Sequence, residues 1–135
     1  MLLPQCVNLS VASLDAMEIW YRDKLGFVRT SRSRYEQMGL EIAFLRQGDF
    51  EIELIQFDGS QAPSMRFPDP PRHAGLQGMT HFGLRVENTD QAIADLESKG
   101  VPVLFGPKVF EELKMKLFFV RDIEGNLIKF VQRLL

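Results

Sequence analysis

Cys6, Glu53, His81, Arg85 and Lys129 are the residues of this chain whose types and spacing could do chemistry. His81 opens the alternating run His81-Phe82-Gly83-Leu84-Arg85-Val86. Strand side chains alternate between faces, so His81, Gly83 and Arg85 share one face and Phe82, Leu84 and Val86 the other. Cys6-Val7-Asn8-Leu9-Ser10-Val11 repeats the arrangement 75 residues earlier, with Cys6 in the place of His81. Glu53 shares a strand face with Glu51, Ile55 and Phe57, and Lys129 shares one with Leu127 and Val131. An imidazole can contact a ligand or exchange a proton near neutral pH, and either His81 or Glu53 could serve as a general base. A carboxylate turned into a fold needs a partner, because a bare buried charge is very costly. Arg85 could hold an anionic group or simply make an ion pair at the rim. A lysine beside Cys6 would lower the thiol pKa and make it nucleophilic; otherwise a lone cysteine is a small buried hydrophobe.

Composition narrows the classes. A chain of 135 residues with 45% hydrophobic residues fits one globular domain, or two small modules. Eleven Phe point to a large core or an aromatic-lined cavity. A net charge of −2 argues against nucleic acid as a partner, which calls for a basic excess. One cysteine makes no internal disulfide and suggests a reducing compartment. The first residues lack the charge and apolar core of a signal peptide, and no run approaches the ~20 apolar residues of a membrane span. The expectation is a soluble cytoplasmic protein.

The elements that must position these residues follow from periodicity. A strand over 5–12 leads to Ser13, an N-cap for a helix carrying Leu14, Met17, Tyr21 and Leu25 at helical spacing. Gly26 ends that helix. Strands over 27–34, 40–46 and 50–57 follow, the last two joined by the turn Gln47-Gly48-Asp49. Residues 59–78, rich in Pro and Gly, form a long irregular loop. Its Met65, Arg66, Phe67 and His73 could cover a pocket mouth, or the loop could be a passive connector. After the His81 strand, Asn88-Thr89-Asp90 starts a helix with Ala92, Ile93 and Leu96 that ends near Lys99-Gly100. Strands over 101–105, 116–121 and 127–133 complete the chain, with a loop from Gly106-Pro107 and a turn over 122–126. Each half is β-α-β-β-β. An α+β fold of two tandem modules, 4–58 and 79–134, forming a curved mixed sheet around a cavity is expected. Phe44, Phe57, Phe67, Phe105, Phe110, Phe118 and Met115 are candidate cavity walls. Arg22, Arg29, Arg32 and Arg34 could grip a phosphate or carboxylate tail, or form a solvated strand edge that discourages aggregation.

The run from Val11-Ala12-Ser13-Leu14-Asp15 through Trp20-Tyr21-Arg22-Asp23-Lys24-Leu25-Gly26-Phe27 resembles the opening of the vicinal oxygen chelate superfamily. That superfamily includes glyoxalase I, bleomycin-resistance proteins, methylmalonyl-CoA epimerase and extradiol dioxygenases. Gly78-Met79-Thr80-His81 and the closing run from Asp122 to Val131 carry the likeness through the second half. The resemblance implies a homodimer, and metal ligands at four polar-face positions, here Cys6, Glu53, His81 and Lys129. Cys6 stands where a histidine is usual, and Lys129 where a glutamate is usual. Cys6, Glu53 and His81 could hold Zn, Ni, Fe or Mn with an open position. Such an ion would polarise a carbonyl in a glyoxalase-like lyase or isomerase. Lys129 opposes this. Two unit charges ~4 Å apart interact by about 4 kcal/mol at an effective dielectric of ~20, and a divalent ion suffers about twice that. Neutralising the lysine at pH 7 costs roughly 4–5 kcal/mol instead. The favoured expectation is therefore a small-molecule-binding protein with a degenerate metal site and no cofactor. It binds an amphipathic or anionic ligand in the cavity, oriented by Glu53, His81, Arg85 and Lys129, with Lys129 pairing with Glu53 in place of an ion.

Overall fold

The computed structural model describes residues 1–135, which divide into two compact units, Met1–Ser64 and Met65–Leu135. The first unit runs β1 (Val7–Ser10), α1 (Leu14–Leu25), β2 (Val28–Tyr35), β3 (Leu40–Gln47) and β4 (Phe50–Phe57). The second runs β5 (His81–Arg85), α2 (Thr89–Ser98), β6 (Phe105–Phe110), β7 (Met115–Arg121) and β8 (Leu127–Arg133). Each unit holds one four-stranded mixed sheet, ordered β1-β4-β3-β2 and β5-β8-β7-β6. The fold is α+β in two modules of like design. The loop that sequence treats as a connector falls mostly within the second unit, from Met65 onward.

The same devices build both units. Ser13 caps α1 by accepting from the Ala16 amide, and Asn88 caps α2 by accepting from the Gln91 amide. A glutamine from the central strand takes one more free donor at each helix start. Gln56 Oε1 accepts from the Leu14 amide at 2.7 Å, and Gln132 Oε1 from the Thr89 amide at 2.8 Å. A single 3-10 turn precedes β3 and β7, Glu36–Met38 and Glu111–Leu113, and each ends on a left-handed residue, Gly39 or Lys114. Gly26 closes α1 at φ 79° with its amide donating to the Arg22 carbonyl.

The alternation read from sequence separates two faces of each sheet. Ile52 and Leu54 of β4, with Ala43 and Leu45 of β3, are buried together with Leu14, Met17 and Tyr21 of α1. Tyr21 meets Trp20 and Phe27 edge-on, at centroid distances of 5.0 and 5.6 Å. In the second unit Phe118, Val120, Ile128 and Phe130 take the same role, Phe118 stacked on Phe130 at 4.8 Å. Phe118 is therefore core and not cavity wall. Each such side chain stabilises its unit by roughly 1.5–3 kcal/mol. The expected strand over 101–105 is absent: Val101 is buried and its amide donates to the Leu96 carbonyl, finishing α2. The strand starts at Phe105 and runs through Gly106-Pro107. Gly106 makes this possible at φ 94°, since a Cβ there would sit 2.6 Å from the Leu117 carbonyl oxygen. No helix is long and apolar enough to cross a membrane.

Candidate functional site

Registers place the two polar faces. In the first unit Glu53 of β4 lies between Asn8 of β1 and Phe44 of β3. In the second, Lys129 of β8 lies between Gly83 of β5 and Phe119 of β7. The two positions are equivalent in the repeat and carry opposite charges.

Cys6 sits one residue ahead of β1 and is exposed, contrary to the buried-hydrophobe reading. Its thiol donates to Glu53 Oε1 at 4.0 Å. Desolvation, with Glu53 and Glu51 nearby, raises its pKa, the opposite of what a nucleophile needs. Glu51, on the same strand face, is engaged by Arg46 at 3.3 Å.

The second unit is richer. Lys129 is half-buried, and its stem lies over Gly83, where a Cβ would meet Lys129 Cε at 3.5 Å. Within the second unit no carboxylate lies within ion-pair distance of Lys129. His81 is half-buried on the same face, and its Nδ1 is 2.6 Å from Thr80 Oγ1. Desolvation first, then Lys129 and His73, push its pKa down to about 4. His81 is thus a neutral imidazole at pH 7. Arg85 shares this face and is exposed.

His73 joins His81 from a 3-10 turn of the loop, Arg72–Gly75. The ring centroids lie 5.5 Å apart, and both rings pack on Phe119, at 5.2 Å from His73 and 4.9 Å from His81. Sequence marks His73 only as loop cover, because a Pro-rich stretch has no period from which to place a ring. The loop is clamped by Arg121, which donates to the Phe67 and Gly125 carbonyls and to Asp69. Arg66 donates to the Glu124 carbonyl. The periodicity of β7 gives no sign of that clamp. Phe67, Leu104, Phe105, Phe110 and Val131 pack against buried Leu117, Phe119 and Leu127, so Phe67, Phe105 and Phe110 do belong to this face.

The arginines of β2 and α1 are engaged by acids. Arg32 bonds Asp15 and Glu41, Arg34 bonds Asp58 and Glu36, Arg29 approaches Glu18, and Arg22 bonds Asp23. They form a paired surface.

Within each unit, no group of three or more His, Cys, Asp or Glu is placed to hold a divalent ion. The Cys6 thiol carries its proton toward Glu53, and Lys129 sets an ammonium beside His81.

The model of the Glyoxalase/Bleomycin resistance protein/Dioxygenase superfamily matches residues 3–130. The chain is 30% identical over 95 residues to mitochondrial methylmalonyl-CoA epimerase of Mus musculus, an alignment covering 70% of this chain and 52% of that protein. The chain thus spans about half the length of the curated relatives it matches. Among solved structures, a glyoxalase family protein from Bacillus cereus superposes with TM-score 0.78 at 22% identity, covering 99% of this chain and 95% of that one. Leishmania major glyoxalase I superposes with TM-score 0.71 at 20% identity, covering 93% and 83%. These likenesses establish the shared fold.

Proposed function

We propose a function that starts from the premise that the chain belongs to the Glyoxalase/Bleomycin resistance protein/Dioxygenase superfamily: it binds a small amphipathic or anionic molecule and holds no catalytic metal. The observation that carries this is Lys129. A half-buried ammonium with no acid partner in its own unit is costly and is satisfied by an incoming anion. Cys6, Glu53, His81, Arg85 and Lys129 are assigned as ligand contacts. A general-base role for Glu53 or His81 is the metal-free enzymatic variant of this reading; for His81 the lowered pKa of about 4 weighs against it at pH 7. The same reading takes the protein as a homodimer, checked by light scattering.

The second reading is a metal-dependent lyase or isomerase of the glyoxalase I or methylmalonyl-CoA epimerase kind. The 30% identity to the mouse epimerase favours it, and Lys129 opposes it. Metal analysis of protein purified without chelator decides between them: near-stoichiometric zinc, nickel, iron or manganese rejects the first reading. Lys129→Glu supplies a carboxylate beside His81 and should raise zinc or nickel affinity by at least about tenfold. An unchanged affinity means that position 129 is not what keeps metal away.

A further inference from the structure

The face around Lys129 has three nitrogen groups without a protein partner. His81 uses Nδ1 toward Thr80, and its Nε2 makes no hydrogen bond and is not buried. His73 buries Nδ1 without a partner, whereas its Nε2 is likewise unbonded and reachable. A buried N–H with no acceptor is costlier than a buried lone pair with no donor. The His73 ring therefore favours a proton on Nε2, which offers a donor there. Lys129 supplies the third group, and no acid of its own unit answers it.

The surrounding charge points the same way. The charged strand positions on this face are Arg85 of β5, Lys108 of β6, Arg121 of β7, and Lys129 and Arg133 of β8, with no Asp or Glu among them. Asp69 is the loop's acid here and is taken by Arg121. Lys108 lies 5.4 Å over the Phe110 ring. Phe67 and Phe105 are only partly buried, so they keep apolar surface beside the nitrogen groups.

We propose that His73 is a ligand-contact residue: with His81 and Lys129 it receives the carboxylate of a small monocarboxylic acid whose apolar body lies against Phe67 and Phe105. This rests on the reading of the chain as a metal-free small-molecule binder and names the class of ligand. An ammonium and two ring nitrogens on one face suit the two planar oxygens of a carboxylate, and the apolar rings beside them suit an organic acid better than inorganic phosphate. The clamp from Arg121 and Arg66 holds His73 and Phe67 ready on the sheet, so little order is lost on binding. His73 is thus part of the site and the loop part of its wall.

The test uses the full chain, with 4-phenylbutanoate, its neutral amide 4-phenylbutanamide, and inorganic phosphate as probes, read by calorimetry and by imidazole NMR. The chain has two histidines, so each ring signal is assignable. The acid should bind roughly tenfold tighter than the amide, the worth of a charged hydrogen bond. It should also move both histidine signals. His73→Phe keeps a ring on Phe119 and should erase the preference for acid over amide, while His73→Gln, which keeps an N–H donor, should restore part of it. Phosphate should bind more weakly than the acid. Equal binding of acid and amide, or a preference that survives His73→Phe in folded protein, overturns the assignment and leaves the small-molecule reading standing. No binding of the acid also overturns it, and stoichiometric metal in the purified protein removes the parent reading itself.

Discussion

Lys129→Met should raise the pKa of His81. His81 and Lys129 are diagonal neighbours across β5 and β8, since Gly83 pairs with Lys129 and His81 with Leu127. Diagonal neighbours lie ~7–8 Å apart. Unit charges at that distance interact by ~2 kcal/mol at an effective dielectric of ~20. Solvent reaches both side chains, which trims the figure to ~1 kcal/mol. That raises the midpoint by ~0.7 pH unit from its value of about 4. The midpoint should stay below the reference of 6.5, because desolvation is the largest cause of the shift and the substitution leaves it in place. Lys129→Glu should lift it further, since an anion then favours the imidazolium. The assay is a pH titration of the two histidine ring signals, with His73→Gln used to assign them. A midpoint that stays put or falls in Lys129→Met means the ammonium does not face His81, and the argument against a metal falls with it.

The same shift sets a pH dependence of stability. The folded pKa of His81 lies below the unfolded value, so between pH ~6.5 and ~4 the unfolded chain binds the extra proton. Stability should fall as pH drops through that window and His81 should add no further loss below it, with a ceiling of about 3 kcal/mol that partial exposure reduces to ~1–2. Urea unfolding of the starting protein and of His81→Phe across the window isolates the contribution. Gly106→Ala should destabilise by ~2 kcal/mol or more in the same assay, because the new Cβ meets the backbone of Leu117 and Phe118 at positive φ. Cys6 should alkylate slowly at pH 7.5, and Glu53→Gln should speed it about twofold by removing one of the negative charges that hold the proton on.

Much of the frame was legible because short-range rules wrote it. Ser13 and Gly26 end α1 as caps do anywhere, and the alternation of β4 buries Ile52 and Leu54 and turns Glu53 the other way. The 75-residue echo placed Cys6 opposite His81 in the repeat, and register then made Glu53 and Lys129 equivalents. What was not legible depends on tertiary geometry. His73 meets His81 because Arg121 and Arg66 pin a stretch with no hydrophobic period. The start of β6 is displaced by Val101 closing α2 and by a bulge at Gly106 that only the neighbouring strand reveals. The sequence leaves the β2 arginines as either an anion grip or a solvated strand edge; in space they stand opposite Asp15 of α1, Glu41 of β3 and Asp58 just past β4.

The alternation of β8 also separates what holds the second unit together from what gives it chemistry. Ile128 is fully buried and Phe130 stacks on Phe118, whereas Lys129 between them faces the other way over Gly83. Ile128→Ala should therefore cost about 2–5 kcal/mol of stability through the cavity it leaves. Lys129→Met should leave stability unchanged or raise it slightly, because it removes a half-buried charge that has no acid partner in its own unit. Thermal and urea unfolding of the two variants give the comparison. If Lys129→Met destabilises as much as Ile128→Ala, the ammonium is a structural group. Its position opposite Glu53 in the repeat would then say nothing about a ligand.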